Sequence, residues 1–160
     1  MTEYKKLLDE GIFLLQSGDF ENAINKINQS IDAKRDWEIS YFYRAVAYQS
    51  MEKFDEAILD YTKAIQLNAK MTDAYYNRAY ILLTRKDVEN PDIERAVVDL
   101  KIALEQDEKF VDALYAMSAA QKKLGNYHEA LVYLEKLLQI VPDAVNAKAL
   151  KKLILQKYII

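Results

Sequence analysis

The sequence contains no cysteine, one histidine, two prolines and three glycines. Without cysteine the chain forms neither disulfides nor thiolate metal sites, which is compatible with a reducing, cytoplasmic location. So few chain breakers disfavour a fold with many tight turns and favour helices joined by short links. No apolar run approaches the roughly 20 residues that span a bilayer, and the N-terminal residues lack the apolar core and cleavage site of a secretory signal. We therefore expect a soluble, cytoplasmic, all-α protein.

The formal net charge of −3 is unevenly distributed along the chain. The last sixteen residues contain four lysines and no acid, so the preceding part of the chain is acidic. This end is typical of a solvated helix face, and the alternative interpretation is a contact surface for an acidic partner segment through Lys148, Lys151 and Lys152. An acidic protein without a basic stripe along its length is not expected to bind nucleic acid.

Four similar segments recur along the chain, each with an alanine that follows a large apolar residue by three positions. The alanines are Ala23, Ala57, Ala96 and Ala130, so the spacings are 34, 39 and 34 residues, with five residues inserted in the third repeat. Apolar residues follow each alanine at intervals of three and four, which predicts an amphipathic helix, and a second such helix precedes it. The repeating element is therefore a helix pair, which buries its apolar side by stacking on neighbouring pairs.

This pattern resembles the tetratricopeptide repeat family over residues 4 to 144, nearly the whole chain. The resemblance implies a right-handed α-solenoid, with the first helix of each pair lining a concave surface. It also implies small residues where the two helices of a pair cross, because a long side chain would push the backbones apart. These residues are Gly11, Ala45, Ala79 and Ser118 on the first helices, and Ala23, Ala57, Ala96 and Ala130 on the second.

The resulting domain organisation is one tetratricopeptide repeat domain over residues 1–160. Its repeats are 4–37, 38–71, 72–110 with the insertion, and 111–144, and residues 145–160 form a capping helix. We expect that helix to pack on the fourth repeat through Leu150, Leu153, Ile154 and Ile160. The terminal Ile159 and Ile160 leave a second interpretation open, in which this helix joins two copies of the chain.

The concave surface implied by the resemblance contains five aromatic residues, which are Phe42, Tyr43, Tyr76, Tyr80 and Tyr115. Ile12, Val46 and Asn77 occupy neighbouring inward positions. Tyrosine offers a large rigid contact area and a hydroxyl group for a hydrogen bond, which suits a binding anchor. We therefore predict a peptide or amphipathic helix of another protein in this groove. The alternative is that several of the rings only pack between repeats, as we expect of Tyr41, Tyr48 and Tyr75.

One known subfamily binds acidic chaperone tails through a clamp of cationic and amide side chains, and this sequence lacks that clamp. Depending on the repeat at which the alignment starts, the clamp positions hold Leu8, Ile12, Tyr43, Asp73 and Asn77, or Phe42, Val46, Asn77, Asp112 and Ala116. Only Asn77 fits in either alignment. Two free carboxylates require cations for charge-assisted hydrogen bonds, so we do not expect this chain to bind such tails.

The insertion from Arg85 to Pro91 lengthens the turn within the third repeat, and its role is left open. We expect Asn90 or Asp92 to cap the following helix, with Pro91 in the first turn.

No residues suggest catalysis, a metal site or a cofactor. His128 has no second histidine or thiol to complete a constellation, and we expect it to be a surface residue. The sequence thus predicts a non-enzymatic adaptor that binds protein partners. The alternatives are a chaperone for a secreted or membrane-inserting cargo, and a self-assembling structural protein.

Overall fold

A computed structural model describes residues 2–86 and 88–158, and within them the chain forms nine α-helices and no strand. The helices are α1 (Glu3–Gln16), α2 (Phe20–Ala33), α3 (Glu38–Ser50), α4 (Phe54–Leu67), α5 (Thr72–Thr84), α6 (Asn90–Gln106), α7 (Val111–Lys123), α8 (Tyr127–Ile140) and α9 (Val145–Tyr158). Short links join them, as the scarcity of glycine and proline predicts. In that part of the chain, no helix combines the length and apolarity needed to cross a membrane.

Helix pairing follows the sequence period. The large apolar residue of each repeat lies at or near the start of a second helix, as Phe20 in α2, Phe54 in α4 and Tyr127 in α8. The marker alanines are fully buried in all four second helices. The all-α repeat architecture is therefore confirmed.

The first pair shows why a small residue is needed where the helices cross. A Cβ atom added to Gly11 on α1 would lie 2.7 Å from Cγ1 of Ile27 and 3.3 Å from the carbonyl oxygen of Ala23, both on α2. Side chains at van der Waals contact need more room than this, so the backbones approach closely only because Gly11 has no Cβ. The equivalent Ala45 and Ala79 are likewise fully buried.

The chain divides into two compact units, Met1–Ile81 and Leu82–Ile160, and the boundary falls within α5. In the first unit, one cluster is built on Leu8, Ile27 and Ile31. A second cluster surrounds Tyr61, which is fully buried, together with Ala45, Ala57, Ala74 and Ile81. The single-domain organisation stays a prediction, since the two units are compact in their own right.

In the second unit, α7, α8 and α9 share one core. Leu114 on α7, Leu134 and Leu137 on α8, and Ala147 and Ile154 on α9 are buried together. The rings of Tyr127 and Tyr158 stack with their centroids 4.2 Å apart, which adds a contact between the start of α8 and the end of α9.

The apolar face predicted for α9 needs one correction. Leu150 and Ile154 contact the core as expected, whereas Leu153 is 43% exposed and its assignment to that face was wrong. The buried stripe follows Ala147, Leu150 and Ile154 at intervals of three and four, and Leu153 lies about 100° around the helix from Ile154. The predicted contributions of Ile159 and Ile160 lie outside the described residues.

The start of α6 differs from the predicted cap. Pro91 lies in the first turn as expected, but the N-cap residue is Glu89, and its side chain makes no capping hydrogen bond. Asp92 instead pairs with Arg85, and Arg95 lies 3.6 Å away on its other side. Because Asp92 is buried, pairing with these guanidinium groups replaces the water that it loses.

Candidate functional site

The predicted binding residues of the first unit lie on matching stripes of its first helices. On α3 the stripe contains Phe42, Tyr43 and Val46, and on α5 it contains Tyr76, Asn77 and Tyr80. Intervals of three and four residues place these side chains on one face of each helix. We call this set, with Ile12 on α1, the aromatic face.

Exposure differs among the aromatic residues of this face. Tyr80 is 44% exposed, and the centroid of its ring lies 6.2 Å from that of Tyr76 in a tilted arrangement. Tyr43 and Tyr76 are half-buried. A half-buried ring has a fixed orientation and still offers surface to a ligand, so these three tyrosines are the best candidates for direct contact with a partner.

Phe42 is held between two other rings. Its centroid lies 5.4 Å from that of Tyr43 in an edge-to-face arrangement, and 5.7 Å from that of the buried Tyr61. It also contacts the cluster around Tyr61, as Val46 does. Phe42 and Val46 therefore serve partly as core residues that support the exposed tyrosines.

Ile12 and Tyr43 share a different support. Both contact the cluster formed by Leu8, Ile27 and Ile31. Since Leu8 is only 2% exposed, it lies beneath this surface and is closed to a ligand.

Asn77 is oriented from below by the hydroxyl group of Tyr61. That hydroxyl donates a hydrogen bond of 2.7 Å to Oε1 of Gln49 on α3. The side chain of Asn77 also hydrogen-bonds the Tyr61 hydroxyl and opposes the effect of burial, which raises the pKa of Tyr61. The amide of Asn77 thus belongs to a core network that joins α3, α4 and α5.

Tyr115 lies in the second unit, on α7, and is 36% exposed. Its participation in a common site with the tyrosines of the first unit stays a prediction.

The lysines predicted to contact an acidic partner have different surroundings. The Nζ atom of Lys148 lies 3.0 Å from Oδ1 of Asp143, and that of Lys151 lies 3.2 Å from Oε1 of Glu135. Lys152 is exposed and forms no ion pair within residues 2–86 and 88–158. Two of the three charges are therefore already balanced by nearby acids, which weakens this surface as an anion site.

The sequence interpretation missed a network around Arg44. Its Nε and Nη2 atoms donate hydrogen bonds of 2.6 and 2.8 Å to the carboxylate of Asp60, and Nη1 donates one of 2.7 Å to Oδ1 of Asn28. The guanidinium carbon also lies 5.6 Å from the centroid of the Tyr41 ring. The hydrogen bonds from Arg44 to Asp60 raise the pKa of Arg44.

A sequence signal for this network exists in the repeats. Arg78 lies 34 residues after Arg44, and its Nη1 atom donates a 2.8 Å hydrogen bond to Oγ1 of Thr62, which lies 34 residues after Asn28. Each arginine follows a tyrosine by three residues, Tyr41 or Tyr75, and its guanidinium group lies over that ring. The recurrence of Tyr-x-x-Arg at the repeat period was the available clue.

His128 is exposed at the start of α8. In the part of the chain that the structure describes, no three His, Cys, Asp or Glu residues are grouped in a way that could hold a metal ion. The absence of enzymatic activity stays a prediction.

Comparisons with known proteins identify the class. A family model described as "Tetratricopeptide repeat" matches residues 39–71, and one described as "Fis1 C-terminal tetratricopeptide repeat" matches residues 111–159. The chain is an all-α solenoid of helix pairs, and it belongs to the tetratricopeptide repeat family.

Two curated relatives are similar to most of this chain. One is "DnaJ homolog subfamily C member 3" of Homo sapiens, 26% identical over 149 residues, which cover 87% of this chain. Another is "Tetratricopeptide repeat and J domain-containing co-chaperone DNJ1" of Cryptococcus neoformans, 26% identical over 145 residues and 86% of this chain. The matches cover only 30% and 28% of those proteins, so this chain spans less than a third of their length.

Two solved structures illustrate the common fold. MamA residues 41 to the end, from Desulfovibrio magneticus RS-1, has a TM-score of 0.88 at 13% identity and covers 98% of this chain and 86% of its own. The first tetratricopeptide domain of Spaghetti (RPAP3), bound to the HSP90 peptide SRMEEVD, has a TM-score of 0.71 at 24% identity, covering 77% and 94%. Family and fold together support a protein-interaction scaffold.

Proposed function

We propose that this chain is an adaptor that holds a peptide segment or short amphipathic helix of a partner protein on the aromatic face of its first unit. The observation that carries the proposal is the group of tyrosines Tyr43, Tyr76 and Tyr80. They keep exposed surface while the side chains beneath them are packed. Rigid, partly exposed tyrosines lose little conformational entropy when a partner covers them, which makes them effective anchors.

The support beneath the face favours a preformed site. Phe42 contacts both Tyr43 and Tyr61, and Tyr61 in turn is hydrogen-bonded to Gln49. A partner would therefore meet side chains that are already oriented, and less binding free energy would be used to order them.

Charge argues for a segment unlike an acidic chaperone tail. The exposed acids Asp9 and Asp73 lie on the same helix stripes as Ile12 and Tyr76. The Spaghetti (RPAP3) domain binds a peptide that ends in Glu-Val-Asp, whereas here aspartates or apolar residues stand at the positions of the clamp cations. We expect a ligand with apolar or aromatic anchors and basic or neutral flanks.

The test is selection of binding peptides from a random displayed library on the immobilised chain, followed by affinity measurement on the variant Tyr43→Ala with Tyr80→Ala. We expect selected peptides rich in apolar and aromatic residues, and at least a tenfold weaker dissociation constant for the variant, since a central anchor contributes on the order of 2 kcal/mol.

Two further variants separate binding from folding. Tyr80→Ala alone removes the most exposed ring of the face and should weaken binding without loss of helicity. Leu59→Ala removes an exposed apolar side chain of α4, a second helix, and should leave affinity unchanged. Equal affinity of the wild-type chain and both tyrosine variants would contradict the proposal.

A second candidate is a chaperone function, favoured by the relative whose name describes it as a co-chaperone. In this case the aromatic face would cover apolar segments of many unfolded chains. Suppression of the aggregation of a chemically denatured test protein, lost in Tyr43→Ala with Tyr80→Ala, would favour it over the adaptor. An adaptor should bind its selected peptides and leave that aggregation unchanged. The cytoplasmic location and self-association through the C-terminal residues stay predictions.

A further inference from the structure

The fourth repeat contains a cleft at a place that the second repeat fills with one of its own side chains. In the second repeat, Tyr41 is half-buried against the cluster that contains Ile31. Its hydroxyl group donates a 2.9 Å hydrogen bond to the carbonyl oxygen of Arg35, and Arg44 lies over its ring.

The repeat period assigns the equivalent residues in the fourth repeat. Leu114 stands at the position of Tyr41, Met117 at that of Arg44, and Tyr133 at that of Asp60. Leu104 and Glu108 correspond to Ile31 and Arg35, which form the surroundings of the Tyr41 ring. The leucine therefore ends where a tyrosine ring would continue.

A cleft of about 300 Å³ lies at this place. Its lining includes Leu104, Glu108 and Leu114, the counterparts of the residues around and including Tyr41. The volume is at the lower end for ligand pockets, which is a size suited to a single large side chain. Tyr133, Gln139 and Ile140 form the remaining wall on α8.

The charges of the lining indicate the surroundings of that side chain. Lys109 and Lys136 line the cleft with Glu108 as the one acid among its lining residues, so cations predominate. The Nζ atom of Lys136 lies 5.4 Å from the centroid of the Tyr133 ring, which holds it beside the apolar wall. A carboxylate next to an inserted ring would meet these two ammonium groups.

We propose that this cleft of the second unit binds a tyrosine side chain flanked by acidic residues, presented by a partner protein. The inserted ring takes the place that Tyr41 occupies within the second repeat, and the flanking carboxylates meet Lys109 and Lys136. This site is distinct from the aromatic face, because all of its lining residues lie in α6 to α8 and the links between them.

The probe is a short acetylated and amidated peptide with one tyrosine between two pairs of glutamates, titrated into the full chain and followed by amide chemical shifts. We expect saturable shifts at Leu104, Glu108, Leu114 and Tyr133, with a dissociation constant on the order of 0.1 to 1 mM, reasonable for one anchor. The same peptide with alanine in place of tyrosine should bind at least tenfold more weakly.

Three variants test the parts of the proposal. Leu114→Tyr fills the cleft from within, and Gln139→Trp covers it from its exposed rim, so each should abolish the saturable shifts. Gln66→Trp is the matched control, because Gln66 is the counterpart of Gln139 in the second repeat, and it should change nothing. Lys109→Gln with Lys136→Gln should weaken binding roughly three- to tenfold and remove its salt dependence.

Several results would overturn the proposal. Equal binding of the tyrosine and alanine peptides would exclude an aromatic anchor, and unchanged binding in folded Gln139→Trp would place the peptide elsewhere. A concentration-dependent dimer that Gln139→Trp dissociates would assign the cleft to a second copy of this chain. Tyr43→Ala with Tyr80→Ala should retain the cleft, so the failure of either site is distinguishable from that of the other.

Discussion

The second and fourth repeats place different chemistry at equivalent core positions. In the second repeat these positions hold Tyr41, Arg44, Asp60 and Tyr61, which are joined by hydrogen bonds to each other or to neighbouring helices. In the fourth repeat they hold Leu114, Met117, Tyr133 and Leu134, and leucine and methionine replace the charged and hydroxyl groups. One helix-pair backbone thus accepts either a polar network or an aliphatic core, provided that the small residues at the crossing are kept.

The difference has a cost for each repeat. A buried polar network is stable only while every member has its partner, so the second repeat should be sensitive to single substitutions. An aliphatic core lacks that sensitivity, and in the fourth repeat the shorter Leu114 leaves a cleft. The following predictions test this contrast from the largest expected effect to the smallest.

Arg44→Met places the residue of the fourth repeat in the second and leaves Asp60 buried without its main partner. We expect the free energy of unfolding to fall by about 3 kcal/mol, because an unpaired charge remains in a poorly solvated place. Urea unfolding followed by circular dichroism measures this. Arg44→Met with Asp60→Tyr, which reproduces both residues of the fourth repeat, should recover part of the loss. The exposed Arg95→Met is the control and should change stability by less than about 0.5 kcal/mol.

Tyr41→Leu removes the ring that fills the second repeat. The loss of buried ring surface and of the hydrogen bond to Arg35 should reduce the free energy of unfolding by about 2 kcal/mol. Tyr41→Phe keeps the ring and should lose only about 1 kcal/mol. If Tyr41→Leu also gains affinity for the tyrosine peptide, the two repeats share one packing position; equal stability of all three proteins would refute the packing argument.

Tyr61 predicts an alkaline dependence that its counterpart Leu134 cannot produce. Burial raises the pKa of Tyr61, so above pH 10 the unfolded chain releases this proton while the folded chain keeps it. The contribution is therefore complete below the ordinary tyrosine pKa and is lost as the pH rises beyond it. At pH 11 the loss should be about 1.4 kcal/mol. Denaturant unfolding at pH 8 and pH 11 should show a smaller decrease in Tyr61→Phe than in the wild-type chain.

The turns between the paired helices give the smallest effect. Glu52 in the second repeat has φ 57°, whereas Gly125 in the equivalent turn of the fourth repeat has φ 81°. Left-handed backbone disfavours residues with a Cβ, so Glu52→Gly should stabilise the chain by up to about 1 kcal/mol. Gly125→Ala should destabilise it by a similar amount. Thermal unfolding of both variants checks the opposite signs, and a decrease in both would contradict the argument.

Much of the fold could be predicted from the sequence, because a helix repeats its faces every three to four residues and the repeats recur at a visible period. The alanines at the helix crossings and the large residues at the starts of α2, α4 and α8 were found in this way. The positions of Tyr43, Tyr76 and Tyr80 on their helix stripes follow from the same period.

Exposure within a stripe was harder to predict. Phe42 and Tyr80 occupy similar positions by periodicity, yet Phe42 is packed between two rings and Tyr80 is largely exposed. The difference depends on the size of side chains on other helices, which helix periodicity does not contain. Leu153 was assigned wrongly for the same reason.

By itself, the sequence determined the family, the helix pairs and the close crossings, since these depend on local periodicity and on small residues at a repeating distance. Only the tertiary structure decided which polar groups meet, as when Arg44 contacts Asn28 and Asp60, each sixteen residues away. It also decided where a side chain is too short to fill its place, as beside Leu114. Hydrogen bonds and voids depend on the distances between atoms of different helices, and those distances exist only after the helices have packed.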